Sequence, residues 1–162
     1  MTIFVISDTH FHHKNILDYA TRPFKSVEEM DEILVENWNK VVKPTDKVYH
    51  LGDVYFQRAT HSERPIVARL NGKKRLVLGN HDDPKDPVLQ KHFQKIGIWR
   101  LFKDVGIILT HIPIVESSFR IGVLNVHGHT HEKGSPPGPY KSACAEMINY
   151  TPKAIEEFNT QG

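Results

Sequence analysis

Residues 3–10 read Ile3-Phe4-Val5-Ile6-Ser7-Asp8-Thr9-His10. The apolar, β-rich run is short and unalternating, as in a strand buried on both faces, and it stops at a carboxylate and an imidazole. The same arrangement recurs. Lys47–Leu51 stops at Gly52-Asp53, Arg75–Leu78 at Gly79-Asn80-His81-Asp82, Gly106–Leu109 at Thr110-His111, and Gly122–Val126 shortly before Gly128-His129-Thr130-His131. In open α/β sheets, sites collect beyond the carboxyl ends of the strands. These strand ends therefore predict one crevice lined by Asp8, His10, Asp53, Asn80, His81, Asp82, His111, His129 and His131.

Between these runs lie helical signals. A short helix is expected around Asn15–Ala20, before Arg22-Pro23-Phe24 interrupts the pattern. Ser26 with Glu29 is a capping box, so a helix begins at Val27, with Val27, Met30, Ile33, Leu34 and Trp38 on one face. Further helices are expected over 62–70 and 87–96, and Thr151-Pro152 reads as the start of a last one. The second half is strand-rich: 98–102, 106–109, 122–126 and 141–149, with short connections of more antiparallel character. A Gly/Pro loop spans 134–139. Helices alternating with strands, then clustered strands, predict an α/β chain with a mixed sheet, or two sheets face to face with helices outside. With 162 residues, no repeat and no linker, one domain over 1–162 is expected.

Composition excludes several classes. Hydrophobic residues make up 39% and charged residues 25%, a globular balance. No apolar run is long enough for a membrane span, residues 1–7 read as a strand rather than a signal peptide, and the single Cys144 fits a reducing cytoplasm. The net charge of +2 is small for a nucleic-acid binder. Residues 58–100 hold ten Lys/Arg against four Asp/Glu, which a solvated helix face explains better than a rim attracting phosphorylated substrates.

Eleven histidines matter only through their placement. Alone, Asp8 or Asp53 would be a cap or turn residue and His111 a buried histidine. Together at strand ends they form a nitrogen and oxygen ligand set without thiolates, suited to zinc, iron or manganese. They are too many for one four-coordinate ion and fit two ions sharing a carboxylate. Such a pair generates a hydroxide nucleophile and clamps phosphoryl oxygens. In Asp8-x-His10 and His129-x-His131, spacing of two places both side chains on one side if the backbone is extended.

The ordered set D-x-H, G-D, G-N-H-D, H and G-H-x-H, running from Asp8 to His131, resembles the signature of the calcineurin-like metallophosphoesterase superfamily. Arg22-Pro23-Phe24 and Tyr49-His50-Leu51-Gly52-Asp53 look like its small, cap-less bacterial and phage branch. The resemblance implies a four-layer α/β/β/α sandwich around two mixed β-sheets. It further implies one metal on Asp8, His10 and His131, a second on Asn80, His111 and His129, and Asp53 bridging. His81 would bind no metal but face the scissile phosphate and protonate the leaving oxygen, with Asp82 orienting it. Manganese is the expected ion, with iron, zinc or nickel able to replace it.

Other residues carry weaker expectations. Arg22 and Arg58 suit phosphate binding, or equally a surface salt bridge. One of His12 and His13 is expected on the substrate side, and His50 and His127 either support ligands or simply pack. His61 and His92 read as solvated, and Cys144 as a small buried hydrophobe. The expected activity is hydrolysis of a small or accessible phosphoester, nucleotide-like, with a 2′,3′-cyclic phosphate preferred and no stable nucleic-acid complex. Two rivals remain. A protein-binding scaffold of this fold should lack His81 or some ligands, and this chain lacks none. A DNA nuclease should carry added binding segments.

Overall fold

The computed structural model describes residues 1–56 and 65–160. Two sheets face each other. The first has the order β4-β3-β2-β1-β9, from Ile3–Ile6 (β1), Lys47–His50 (β2), Lys73–Val77 (β3), Lys95–Gly97 (β4) and Lys153–Ala154 (β9). The second has the order β5-β6-β7-β8, from Trp99–Phe102 (β5), Ile107–Thr110 (β6), Leu124–His127 (β7) and Tyr140–Ser142 (β8). Both are mixed. In the first, β9 alone runs antiparallel to its neighbour, and in the second β5 does. The antiparallel character expected of the second half is thus confined to the β5–β6 pair, because β6, β7 and β8 are parallel.

Two-residue periodicity assigns the core. Val5, Tyr49 and Val77 point between the sheets, where they meet Ile107, Leu109 and Val126, with Ile155 and Phe158 closing the gap. Their neighbours Ile6, Val48 and Leu76 point outward, under the helix Val27–Val41 (α2). Strands buried on both faces explain why their sequences do not alternate.

Met30, Leu34, Val35 and Trp38 form the buried face of α2, and Trp38 Nε1 donates to Asn71 O at 2.9 Å. Ser26 Oγ accepts from Glu29 N at 3.1 Å, while the Glu29 carboxylate accepts from Lys25 N rather than Ser26 N, one residue outside the expected box. Ser26→Ala should cost about 1 kcal/mol. That lowers Tm by about 2–4 °C in thermal denaturation, with activity unchanged.

Four elements differ from expectation. The helix starting at Pro87 (α3) ends at His92, because Lys95–Gly97 leaves it to pair with β3 as an edge strand. Of the helix expected over 62–70, the described part is a 3₁₀ turn, Ile66–Arg69. The strand expected over 141–149 stops at Ser142 and gives way to a 3₁₀ turn, Ala145–Met147, while Thr151-Pro152 leads into β9 instead of a helix. The short helix Ile16–Tyr19 (α1) forms as expected.

The outer layer is uneven. Helix α2 covers the first sheet, but over the second lies loop 112–121 with one 3₁₀ turn, Glu116–Ser118. Buried Asn125 on β7 ties this loop down, accepting from Ile114 N at 2.9 Å and donating to Thr110 Oγ1 at 2.9 Å. Among the described residues, no helix is long and apolar enough to cross a membrane.

Candidate metal centre

All five polar strand ends meet at one edge of the sandwich. Ser7 N donates to Ala143 O, and Asp8 N donates to Gly52 O, so β1 draws the end of each sheet to the same point. The backbone there is not extended. Asp8, His10, Asp53, His129 and His131 all have positive φ, between 49° and 72°. These non-glycine residues occupy the left-handed region, a strained conformation that recurs at functional sites. The expected same-side placement by extended spacing therefore fails as a reason. Left-handed kinks set the directions, and they send His129 and His131 to different clusters.

One cluster is Asp8, His10 and His131; the other is Asp53, His111 and His129. In each, the ligand atoms lie within 4.8 Å of one another. Asn80 joins the second, its Oδ1 lying 2.8 Å from His111 Nε2 and 3.1 Å from His129 Nδ1. Asp53 Oδ2 stands between the two, 3.6 Å from His10 Nε2 and 3.5 Å from His111 Nε2. The side chains thus gather as Asp8, His10 and His131 in one group and Asn80, Asp53, His111 and His129 in the other.

The donor set fits cations. His111 Nδ1 is 2.7 Å from Leu51 O and must carry a proton to donate there, which leaves Nε2 bare in the neutral ring. That bare nitrogen faces Asn80 Oδ1 and Asp53 Oδ2, all acceptors. His131 repeats the logic, Nδ1 donating to Glu146 Oε1 at 3.1 Å while Nε2 faces Asp8 Oδ1 at 3.6 Å. Asp8 Oδ1 and His10 Nε2 are fully buried and without a hydrogen-bond partner. Buried carboxylate, amide and imidazole atoms converging in this way are what a positive ion requires. Burial pushes the Asp8 carboxyl up, but the neighbouring imidazoles of His10 and His111 and the bonds from Ser7 Oγ and the His129 backbone outweigh it and hold the group well below the usual carboxylate range.

Glycines permit this approach. A Cβ on Gly128 would sit 2.0 Å from Ser7 Oγ and 2.4 Å from Asp8 Oδ2, and one on Gly79 would sit 2.2 Å from Asp53 Oδ1. Neither position tolerates a side chain without moving a ligand loop.

Supporting residues hold the ligands from behind. Gly52 N donates to His50 Nδ1, His50 Nε2 to Thr9 Oγ1, and Thr9 Oγ1 to Val54 O, a chain joining the Asp8 and Asp53 loops. Full burial keeps His50 neutral, its pKa pulled down to about 3. His127 bridges Gly128 O and Ser135 Oγ. Cys144 is buried, its thiol pushed up by burial, and Sγ contacts Asp8 Oδ2 at 3.6 Å.

Arg22, His12 and Asp82 make contacts other than those expected. Arg22 is buried behind the cluster, Nη1 donating to Thr9 O at 2.8 Å, Nη2 to Asp8 O at 2.5 Å and Nη2 pairing with Glu146 at 2.6 Å. It braces the Asp8 loop and has no reach to a substrate. His12 turns away from the cleft to Asp31 on α2, at 2.9 Å. Its neighbour His13 lines the cleft instead, Nδ1 lying 3.1 Å from His10 Nδ1. Arg58 and His61 lie outside the described residues. Asp82, expected to orient His81, accepts instead from the backbone N–H groups of Asp53, Gly79 and Val54 at 2.8–3.1 Å. It staples two ligand loops together. His81 is exposed at the mouth, its N–H donating to Asp53 Oδ1 and its ring 5.9 Å from that of His10.

Glu146 has no part in the expectations. Its sequence signal, a lone carboxylate after the small residues Ser142-Ala143-Cys144-Ala145, was there to find. Arg22→Met would leave this buried carboxylate with only His131, costing about 3–5 kcal/mol. A Tm fall on the order of 10 °C in the metal-free protein is expected, whereas a solvent-facing phosphate binder would show a raised KM at unchanged Tm.

Comparison with known proteins shows the family. The Methanocaldococcus jannaschii protein MJ1445 is 34% identical over 162 residues, spanning 95% of this chain and 87% of its own length. The gene 66 protein of Mycobacterium phage L5 is 28% identical, over 77% of this chain and 75% of its own. The crystal structure of AQ665 from Aquifex aeolicus, a protein of unknown function, superposes with a TM-score of 0.76 at 28% identity, covering 98% of this chain and 97% of the other. The family described as calcineurin-like phosphoesterase matches residues 1–152, a span that includes every ligand candidate and every loop that holds one. With nearly its whole length matched and the ligand-bearing strand ends converging on one edge, this chain belongs to the calcineurin-like phosphoesterase family.

Proposed function

We propose that the chain is a dinuclear-metal phosphoesterase of one domain, acting in the cytoplasm on a small or accessible nucleotide-like phosphoester. The observation that carries this reading is the pair of acceptor clusters that share Asp53, with buried, unpartnered atoms of Asp8 and His10 aimed into them. Asp8, His10 and His131 would hold one ion and Asn80, His111 and His129 the other, with Asp53 common to both. Manganese is the expected ion, and the nitrogen and oxygen donors without thiolate equally admit iron, zinc or nickel. Two such ions supply Lewis-acid charge for phosphoryl oxygens and acidify water for attack.

The chain's own residues do the rest. His81 binds no ion on this reading. Its ring stands exposed beside His10 at the cleft mouth, and from there it would stabilise the phosphoryl group and give a proton to the leaving oxygen. Asp82 acts indirectly, fixing the turns that carry Asp53 and Asn80. Asp53 Oδ1 accepts from the His81 backbone, so the shared ligand and the proton donor are positioned by one contact.

The test is hydrolysis of 2′,3′-cyclic nucleotides, mononucleotides, dinucleotides and p-nitrophenyl phosphoesters, after chelation and again after adding Mn²⁺. Turnover that returns with the metal supports the reading. Turnover that survives complete chelation, or none on any substrate with Mn²⁺ present, overturns it.

A further inference from the structure

Two grooves of unlike character reach the candidate metal centre, and they share no lining residue. The first, of about 550 Å³, opens on His10, His81 and His131. Its walls present Tyr19 and Phe56, 72% and 41% exposed. Phe56 is held in place, stacked on His13 at 4.0 Å between centroids and 15° between planes, and edge-on to His81 at 6.3 Å. Tyr19 meets His13 edge-on at 6.5 Å. The result is an aromatic wall beside the proposed proton donor.

The second groove, of about 580 Å³, runs from Asn80 and His111 across Ile98, Trp99, Ile112 and Ile114. It lies where the outer layer over the second sheet is only a loop. Ile98, Trp99 and Ile112 are 71%, 57% and 51% exposed there, a concentration of apolar surface that ordinary packing does not require. A third recess beside His81 is lined by Asp82, Asp83 and Asp86.

We propose that the substrate is an open-chain phosphodiester with two aromatic or apolar arms, one seated against Phe56 and Tyr19, the other against Trp99. This rests on the phosphoesterase reading and deepens it. A monoester has one organic arm and fills one groove. A 2′,3′-cyclic phosphate carries both ester oxygens on one sugar and again extends to one side. Only a diester with separate arms occupies both grooves with its phosphate at the metal centre. Phe56 and Trp99 are then specificity residues, acting on binding rather than on the chemical step.

The full-length, Mn²⁺-loaded protein tests this with bis-p-nitrophenyl phosphate, methyl p-nitrophenyl phosphate and p-nitrophenyl phosphate. The two-armed diester should have the lowest KM. Phe56→Ala and Trp99→Ala should each raise that KM about tenfold with little change in kcat, and together about a hundredfold, as separate sites do. For the methyl diester only one of the two substitutions should matter. Phe56→Tyr and Trp99→Phe should restore the KM, separating a lost platform from a damaged fold. Metal-dependent turnover with KM unmoved in both alanine variants, or a KM for the monoester as low as for the diester, overturns the two-arm assignment alone. Failure of all three substrates overturns it together with the phosphoesterase reading.

Discussion

Asp53→Ala should abolish turnover, by about 10³-fold or more, and leave the protein unable to hold two ions at once. The effect is large because one side chain serves three contacts. Its Oδ2 faces His10 and His111 from opposite clusters, and its Oδ1 accepts from the His81 backbone. On the proposed reading, its removal takes a ligand from each ion and frees the proton donor. Asp53→Asn keeps the Oδ1 acceptor and the volume but removes the charge. It should retain the fold and still lose most activity. Metal content by elemental analysis and rates on bis-p-nitrophenyl phosphate check both variants; near-normal rates with a full metal complement would contradict the bridging role.

His81→Ala should separate catalysis from metal binding. A positioned proton donor contributes about 10²–10⁴-fold, so kcat should fall within that range while metal content and Tm stay unchanged. The ring is exposed and touches the cluster only by ring contact with His10, at 5.9 Å, and its backbone N–H survives the substitution. The loss should be smallest on substrates with good leaving groups such as p-nitrophenolate, which need no proton, and largest on alkyl or ribose esters. An equal loss on both classes would argue that His81 stabilises the phosphoryl group rather than protonating the leaving oxygen.

The fold and the polar residues that meet at its edge were legible for one physical reason. An apolar strand buried on both faces cannot continue through a carboxylate or an imidazole, so polar residues that halt such runs mark strand ends and point to the crevice. Asp8, Asp53, Asn80, His111 and His129 all announce themselves this way. What the sequence concealed was carried by backbone atoms and by distant partners. The arginine at 22 looks like a phosphate binder because its partners Asp8 O and Thr9 O are main-chain carbonyls, which no side-chain pattern reveals, and because Glu146 is 124 residues away. Asp82 follows His81 directly and so suggests a catalytic pair, yet its oxygens are taken by amides of two loops. The left-handed kinks at Asp8, His10, His129 and His131 are equally hidden, since none of these residues is glycine. The thin outer layer over the second sheet depends on Asn125 holding a loop, and no periodicity predicts a loop in place of a helix.

The most direct test of the account is calorimetric titration of the metal-free protein with Mn²⁺, with turnover of bis-p-nitrophenyl phosphate followed on the same samples. The account predicts two equivalents bound per chain, with hydrolysis absent from the metal-free protein and appearing as the second equivalent fills. Saturation at one equivalent with full activity, or hydrolysis undiminished in the metal-free protein, would contradict it.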